Sequence, residues 1–110
     1  MLSAESRLRK TSDISATMRK GRRLASQLLV LHISPGSTPH TRFAFAVGKS
    51  VGNSVVRHRL TRRLRHICAQ NTDLLPTGSD IVVRALPGAG TVDFAELEKS
   101  FQSAAAKAGK

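Results

Sequence analysis

The segment from Gly52 to His66 constrains the fold more than any other part of the chain. It reads GNSVVRHRLTRRLRH. Apolar residues recur at helical spacing within this segment and directly after it: Val56, Leu60, Leu64 and Ile67. At about 100° per residue these side chains fall on one narrow face, as in a helix that packs on a core. Because Asn53 is a preferred N-cap residue, the pattern predicts a helix that begins just after it.

The other positions of this predicted helix carry an unusual density of cationic side chains. Five arginines and two histidines share the segment: Arg57, Arg59, Arg62, Arg63, Arg65, His58 and His66. No Asp or Glu occurs between Lys49 and Gln70. Since like charges three and four residues apart repel, such a face is unfavourable without an anionic partner. The guanidinium fork matches phosphate oxygens bidentately, which favours a polyanion over a merely solvated face.

The excess of positive charge extends over the whole chain. Its 110 residues include 18 Lys and Arg but only 7 Asp and Glu, which gives a formal net charge of +11. Hydrophobic residues make up 40%, enough for a folded core rather than a disordered basic tail. RNA or DNA is therefore the expected partner. Aromatic residues are 4%, all Phe, so contacts to phosphate should outweigh base stacking.

The sequence also indicates a compartment and a domain count. Cys68 is the single cysteine, which excludes an intrachain disulfide and fits a reducing environment. The N-terminal residues MLSAESRLRK lack the apolar centre of a signal peptide, and no long apolar run follows. We therefore expect a cytoplasmic protein with no membrane partner. Residues 1–110 should form one domain, with residues 1–10 as a basic lead-in and 107–110 as a frayed tail.

The rest of the chain gives a coarse order of elements. Residues 11–19 are predicted as a short helix, capped by Thr11 or Ser12 and ended by Gly21. Strands are predicted over residues 28–33, 42–47 and 80–86, with a loop at 34–40. A last helix should begin at Asp93, with Glu96 completing a capping box. This order predicts an α/β or α+β fold in which helices cover a small sheet.

The residue pattern argues against catalysis by the polypeptide itself. The GKS sequence at residues 48–50 lacks the upstream glycine of a nucleotide-binding loop. The histidines lack zinc-site spacing, and the few carboxylates do not resemble a two-metal centre. We predict no catalytic residue and no metal ligand. Lys49 and the amides near Gly52 could cradle a phosphate at the helix N-terminus, although an ordinary turn explains them equally well.

One motif resembles that of a known family. The segment KSVGNSVVRHRLTRRLR resembles the signature of the bacterial ribonuclease P protein, approximately K-K-x-G-N-A-V-x-R-N-R-x-K-R-x-x-R. The positions that match are Lys49, Gly52, Asn53, Val55, Arg57, Arg59, Arg62 and Arg65. The chain departs at Ser50, His58 and Thr61, which replace Lys, Asn and Lys. The RLRK lead, the FAVG strand and the DIVVRA segment also fit, so the likeness spans nearly the whole chain.

The resemblance implies both a fold and a function. The fold would be a two-layer α/β sandwich with a small mixed sheet, related to a ribosomal-protein domain, with a left-handed βαβ crossover. The usual handedness rule would predict the reverse. The function would be that of the protein subunit of ribonuclease P, one per catalytic RNA, with Mg²⁺ held mainly by the RNA. The RNA-binding residues would be Lys49, Gly52, Asn53, Arg57, His58, Arg59, Arg62, Arg63 and Arg65.

The resemblance further implies a cleft for the single-stranded 5′ leader of precursor tRNA, between the first helix and the sheet. Such clefts are typically aromatic in the family, whereas the matching positions here are Ile14, Met18 and His32. We therefore expect a smoother apolar groove with basic rims. Ile14 and Met18 could instead be simple core residues.

Two other functions fit the same residues. One is a non-enzymatic ribosome-associated protein or RNA chaperone with the same fold. The other is a DNA-binding protein that places the arginine helix in a major groove, although few Asn or Gln side chains are available for base readout.

Overall fold

The computed structural model describes residues 2–109, which form three helices and four strands. In chain order these are α1 (Thr11–Lys20), β1 (Arg22–Ala25), β2 (Leu29–Pro35), β3 (Arg42–Ala46), α2 (Ser54–Gln70), β4 (Ser79–Ala85) and α3 (Phe94–Ala106). Short 3-10 turns at residues 49–51, 72–74 and 87–90 lie in the longer connections. The three predicted strands are confirmed, and their ends agree with the prediction to within two residues.

The four strands form one mixed sheet in the order β1-β2-β4-β3. β1 and β2 are antiparallel, as are β2 and β4, whereas β3 runs parallel to β4 with Phe43 opposite Ile81. The chain leaves β3, forms α2 and returns as β4, so α2 is the crossover between two neighbouring parallel strands. The mixed α/β architecture is therefore confirmed, while the left-handed sense of the crossover stays a prediction.

The main core lies between one face of the sheet and the pair α2 and α3. Alternation along the strands directs Phe43, Ile81 and Val83 to this face, where they meet Leu64 of α2 and Phe101 of α3. All five side chains are at most 1% exposed. Full burial of side chains of this size contributes about 1.5–3 kcal/mol each. This core fixes the position of α2 on the sheet.

A second, smaller cluster lies on the opposite face of the sheet. Ala44 and Val82 are there because they alternate with the core residues of β3 and β4, and Leu8 joins them from the N-terminal segment. Ile14 and Met18 of α1 pack on this cluster without being fully buried. The small side chain of Ala44 keeps the face shallow. α1 therefore covers part of this face, and a depression lined by Leu8, Ile14 and Ala44 lies beside it.

Three local features differ from the sequence prediction. β1, which pairs with β2, was not predicted. Its first two residues, Arg22 and Arg23, are charged and do not give the apolar pattern that is typical of a strand. The proposed caps of α1 are wrong: the helix begins at Thr11 itself, and Lys10 at the N-cap makes no side-chain cap bond. The lead-in, which was predicted only as basic, also contributes two buried side chains, Leu2 and Leu8.

The C-terminal end also departs from the predicted frayed tail. Residues 107–109 continue α3 as a 3-10 turn. The Arg22 guanidinium donates to the carbonyl oxygens of Lys107 at 2.8 Å and Ala108 at 3.4 Å. Lys110 lies outside the described residues. The end of α3 is therefore attached to β1, across the sheet from α1.

Candidate RNA interface

The start of α2 is built as the sequence predicts. The side chain of Asn53 accepts a hydrogen bond from the Val56 N–H at 3.0 Å, which satisfies one of the free amides of the first turn. A Cβ atom at Gly52 would lie 2.8 Å from the Val56 side chain, so the chain approaches the helix too closely there for a larger residue. These two residues fix the direction in which α2 leaves the sheet.

Burial of one stripe of α2 directs its cations outward. Leu60, Leu64 and Ile67 are in the main core. His58, Arg59 and Arg62 are exposed along the outer ridge, together with Val55, an apolar side chain that is 71% exposed. The sequence motif thus produces a continuous cationic ridge that also includes one exposed apolar side chain, that of Val55.

The remaining arginines of α2 lie on its two flanks. Arg57 and Arg65 line a depression together with Phe45 of β3. On the other flank, Arg63 donates to the Val92 carbonyl oxygen at 3.4 Å. Arg59 lies at the border of the ridge and also reaches the loop that contains Gly90 and Val92. Its Nη2 atom is 3.5 Å from the Gly90 carbonyl oxygen. All five predicted arginines therefore share one helix, but they point in three directions.

Within the described residues 2–109, no acidic side chain forms an ion pair with these cations. Among residues 2–109 the ion pairs are those of Arg42 with Asp80 at 2.9 Å and with Asp13 at 4.0 Å, and neither involves α2. Carbonyl contacts orient a guanidinium without neutralising it. The cationic surface of α2 is therefore available to an external polyanion.

The turn before α2 offers fewer free amides than a phosphate cradle would need. Lys49 is exposed at its start. The Val51 and Gly52 N–H groups, however, donate to the carbonyl oxygens of Gly48 and Lys49 at 3.1 and 3.2 Å. The Val56 N–H is already taken by Asn53. The cradle stays a prediction, and any anion there would rely on Lys49 and the amides of residues 53–55.

The three residues predicted for the leader cleft come together on the face opposite α2. Ile14 and Met18, on α1, pack against the cluster that contains Val82. His32, on β2, lies beside Val82 of β4 in the sheet register. His32 is 7% exposed, and its Nε2 atom is buried with no hydrogen-bond partner among the described residues. Ile14, Met18 and His32 therefore lie on the same side of the sheet, and the cleft and its role in binding a leader stay a prediction.

Two arginines that the sequence prediction left out of the site flank His32. Burial lowers the pKa of His32, and the nearby charges of Arg84 and Arg23 lower the pKa further. The imidazole is therefore neutral at pH 7, with one nitrogen able to accept a hydrogen bond. Arg84 could have been found from the alternation of β4, which places it on the same face as Val82. Arg23 could not, because β1 was not predicted.

Two negative findings apply to the described residues. None of the helices between residues 2 and 109 combines the length and hydropathy needed to cross a bilayer. Nowhere in the described part of the chain do three His, Cys, Asp or Glu side chains gather in an arrangement that fits a metal ion. Cys68 is fully buried, and burial raises the pKa of its thiol, so the reactive thiolate is disfavoured.

Comparison with known proteins decides the family. The family model described as Ribonuclease P matches residues 2–109. A ribonuclease P protein component from Streptomyces avermitilis is 45% identical, over 94% of this chain and 92% of that protein. The chain belongs to the ribonuclease P protein family. Proteins of the same name from Acidothermus cellulolyticus and Rhodococcus jostii are 46% and 44% identical, over 92% and 94% of this chain and 86% and 88% of their own lengths.

Solved structures of ribonuclease P proteins share the fold. The protein from Thermotoga maritima superposes with a TM-score of 0.82 at 24% identity, over 92% of this chain and 96% of that one. The protein from Staphylococcus aureus gives a TM-score of 0.81 at 23% identity, over 90% and 91%. The ribonuclease P protein fold is thus kept although three quarters of the residues differ.

Proposed function

We propose that this chain is the protein subunit of a ribonuclease P holoenzyme, in the cytoplasm. In this proposal it binds one catalytic RNA through α2 and helps that RNA remove the 5′ leader of precursor tRNA. Family membership supports the RNA partner. The single observation that carries the choice of surface is the cationic face of α2, which has no acidic partner among residues 2–109.

The contribution of the protein is electrostatic and geometric. Cations on a rigid helix offset phosphate repulsion where a folded RNA and its substrate approach each other. This should lower the concentration of Mg²⁺ that the assembly needs. In this proposal Mg²⁺ is held mainly by the RNA.

The cleft beneath α1 is the proposed site of the leader. Its wall is apolar, with Ile14 and Met18, and its floor carries neutral His32 beside the charge of Arg84. A single strand can place bases on the apolar wall and phosphates near the arginine. Because aromatic side chains are absent from these positions, stacking should contribute less than apolar contact and charge.

Reconstitution tests the proposal directly. The chain is combined with a bacterial ribonuclease P RNA, and cleavage of precursor tRNA is measured at low Mg²⁺ against the RNA alone. The expected result is cleavage at a Mg²⁺ concentration where the RNA alone is nearly inactive. RNA binding without any gain in cleavage would favour the RNA-chaperone alternative. Efficient cleavage by the RNA-free polypeptide would contradict the proposed division of labour.

A further inference from the structure

A pocket of about 600 Å³ opens at one end of the sheet, within the size range of small-molecule sites. Four parts of the chain line it: the start of β1, the end of β2 with the loop that follows, residues 76–79 and the 3-10 turn after α3. Ile33, a buried residue of the main core, also lines the pocket, so the pocket reaches the core. No lining residue comes from α1 or α2. The pocket is therefore separate from the arginine face and from the residues proposed for the leader.

The surface of the pocket is mostly apolar. Two of its hydroxyl groups are already engaged within the protein. The Ser34 Oγ atom lies 3.3 Å from the Thr17 Oγ1 atom, and the Ser79 hydroxyl donates to a carbonyl oxygen at 2.7 Å. No lining residue is aromatic, and three proline rings supply flat apolar surface: Pro35, Pro39 and Pro76. The pocket therefore favours an apolar ring over a polar group.

Hydrogen bonds hold the two loops of the pocket together. The Gly36 N–H donates to the Gly78 carbonyl oxygen at 2.8 Å, and the Gly78 N–H donates to the Thr41 hydroxyl at 3.1 Å. Gly78 has a φ of 81°, which glycine adopts without strain. A Cβ atom at Gly36 would lie 2.5 Å from the Gly78 carbonyl oxygen, so the loops meet too closely for a larger residue. Since the walls are already fixed, a ligand would pay little entropy to order them.

Arg22 is the charged residue among those that line the pocket. Its exposed guanidinium donates to the carbonyl oxygens of Lys107 and Ala108, which orient the group without neutralising it. The ion pairs within residues 2–109 are those of Arg42, so Arg22 has no acidic partner there. A guanidinium has more N–H donors than these two contacts use. Arg22 can therefore bind a carboxylate at the edge of an apolar pocket.

We propose that this pocket binds a small molecule that carries an apolar ring and a single carboxylate. The ring lies against Ile33 and the prolines, and the carboxylate accepts hydrogen bonds from Arg22. A strand of nucleic acid fits this pocket poorly, because its charge repeats along the chain whereas the pocket offers one cation and an apolar wall. The proposal is independent of the function proposed above, since the site shares no residue with the arginine motif.

The test uses the full chain labelled with ¹⁵N and three probes that separate the ring from the charge. Naphthalene-2-carboxylate has both, naphthalene-2-carboxamide has the ring alone, and acetate has the carboxylate alone. Naphthalene-2-carboxylate should shift the amide signals of Gly36, Thr38 and Gly78 with a Kd of about 0.1–1 mM. The carboxamide should bind at the same signals about fivefold to tenfold more weakly. Acetate should not saturate these signals below about 10 mM.

Two variants isolate the charge. Arg22→Gln should lower the affinity for the carboxylate to that for the carboxamide and leave the carboxamide affinity unchanged. Arg23→Gln is the matched control: Arg23 is the next residue of β1, pairs with His32 and points to the opposite face of the sheet. It should bind all three probes as the unsubstituted chain does. Thermal unfolding checks that each variant is folded, and the comparison of probes on the unsubstituted chain tests the proposal even if a variant is not.

Several results would overturn the proposal. Shifts centred on α2 would show that the probe binds the arginine face as a counter-ion. Equal affinities for the carboxylate and the carboxamide, or equal losses for Arg22→Gln and Arg23→Gln, would remove Arg22 from the site. If naphthalene-2-carboxylate produced no saturable shift at Gly36, Thr38 and Gly78 below about 10 mM, the pocket would not be a ligand site.

Discussion

Replacing Asp80 with Asn should destabilise the fold strongly, because it removes the charge from a nearly buried ion pair. Arg42 donates to both carboxylate oxygens of Asp80, from Nε and from Nη2, at 2.9 Å each. The two side chains are 16% and 9% exposed. They face each other across β3 and β4 in the parallel register, on the face that carries α1. The substitution keeps the shape of residue 80 and leaves the guanidinium without its main counter-charge.

The expected size of the effect follows from burial and geometry. Removal of one partner from a buried pair costs about 3–5 kcal/mol. The Asp13 carboxylate, 4.0 Å from Arg42, and the partial exposure of the guanidinium offset part of this cost. We therefore expect a loss of about 2–4 kcal/mol in the free energy of unfolding. For a domain of this size that corresponds to a fall in Tm of roughly 10–25 °C.

The assay is urea and thermal unfolding followed by far-ultraviolet circular dichroism. A double-mutant cycle with Asp80→Asn and Arg42→Met isolates the pair, and the coupling energy should be about 1–3 kcal/mol. Asp73→Asn is the matched control, since Asp73 is exposed and has no ion pair among those described. Its effect should stay within about 0.5 kcal/mol.

The reasoning is refuted by either of two results. A loss below about 1 kcal/mol for Asp80→Asn would place the pair among surface ion pairs, which contribute little. A coupling energy near zero would show that Arg42 and Asp80 contribute through packing rather than through their charges.

Three further predictions concern the site. Arg62→Ala should lower the salt slope of RNA binding by about one unit, whereas Arg62→Lys should leave it nearly unchanged; filter binding over a salt series measures both. Gly90→Ala would bring a Cβ within 2.8 Å of the Val51 carbonyl oxygen, so urea unfolding should show a loss of about 1–3 kcal/mol. The pKa of His32 is lowered in the folded state by burial and by Arg84. Below the unfolded pKa of about 6.5 the unfolded chain therefore binds more protons, so stability should fall as pH decreases through 6. Urea unfolding of His32→Gln across this range should show a weaker fall in the free energy of unfolding. A fall equal to that of the unsubstituted protein would show that other groups cause the pH dependence.

The parts of the structure that could be predicted from sequence depend on local signals. The start of α2 follows from Asn53 and the start of α3 from Asp93, each of which accepts the expected bond from an amide three residues on. The two faces of β3 follow from the alternation of Phe43 and Phe45 with alanines. In each case the residues that specify the element are neighbours in the chain, so no knowledge of the tertiary fold is needed.

The parts that could not be predicted depend on distant partners. β1 has a single buried residue, Leu24, and exists as a strand because its backbone pairs with β2. Leu2 and Leu8 carry no periodic signal, yet both are buried by contacts to the rest of the fold. The charged surroundings of His32 similarly require the register of three strands. Pairing partners and register are set by the whole fold, which a local pattern does not reveal.

The unequal size of the two hydrophobic clusters has a consequence for motion. α2 is anchored in the large core, whereas α1 rests on a cluster with only three buried members, Leu8, Ala44 and Val82. Elements with few buried contacts open at lower free energy than the rest of a domain. The amide protons of α1 should therefore exchange with solvent well before those of α2. The two sides of the sheet therefore differ in stiffness, so that α1 can move while the cationic face of α2 keeps its position.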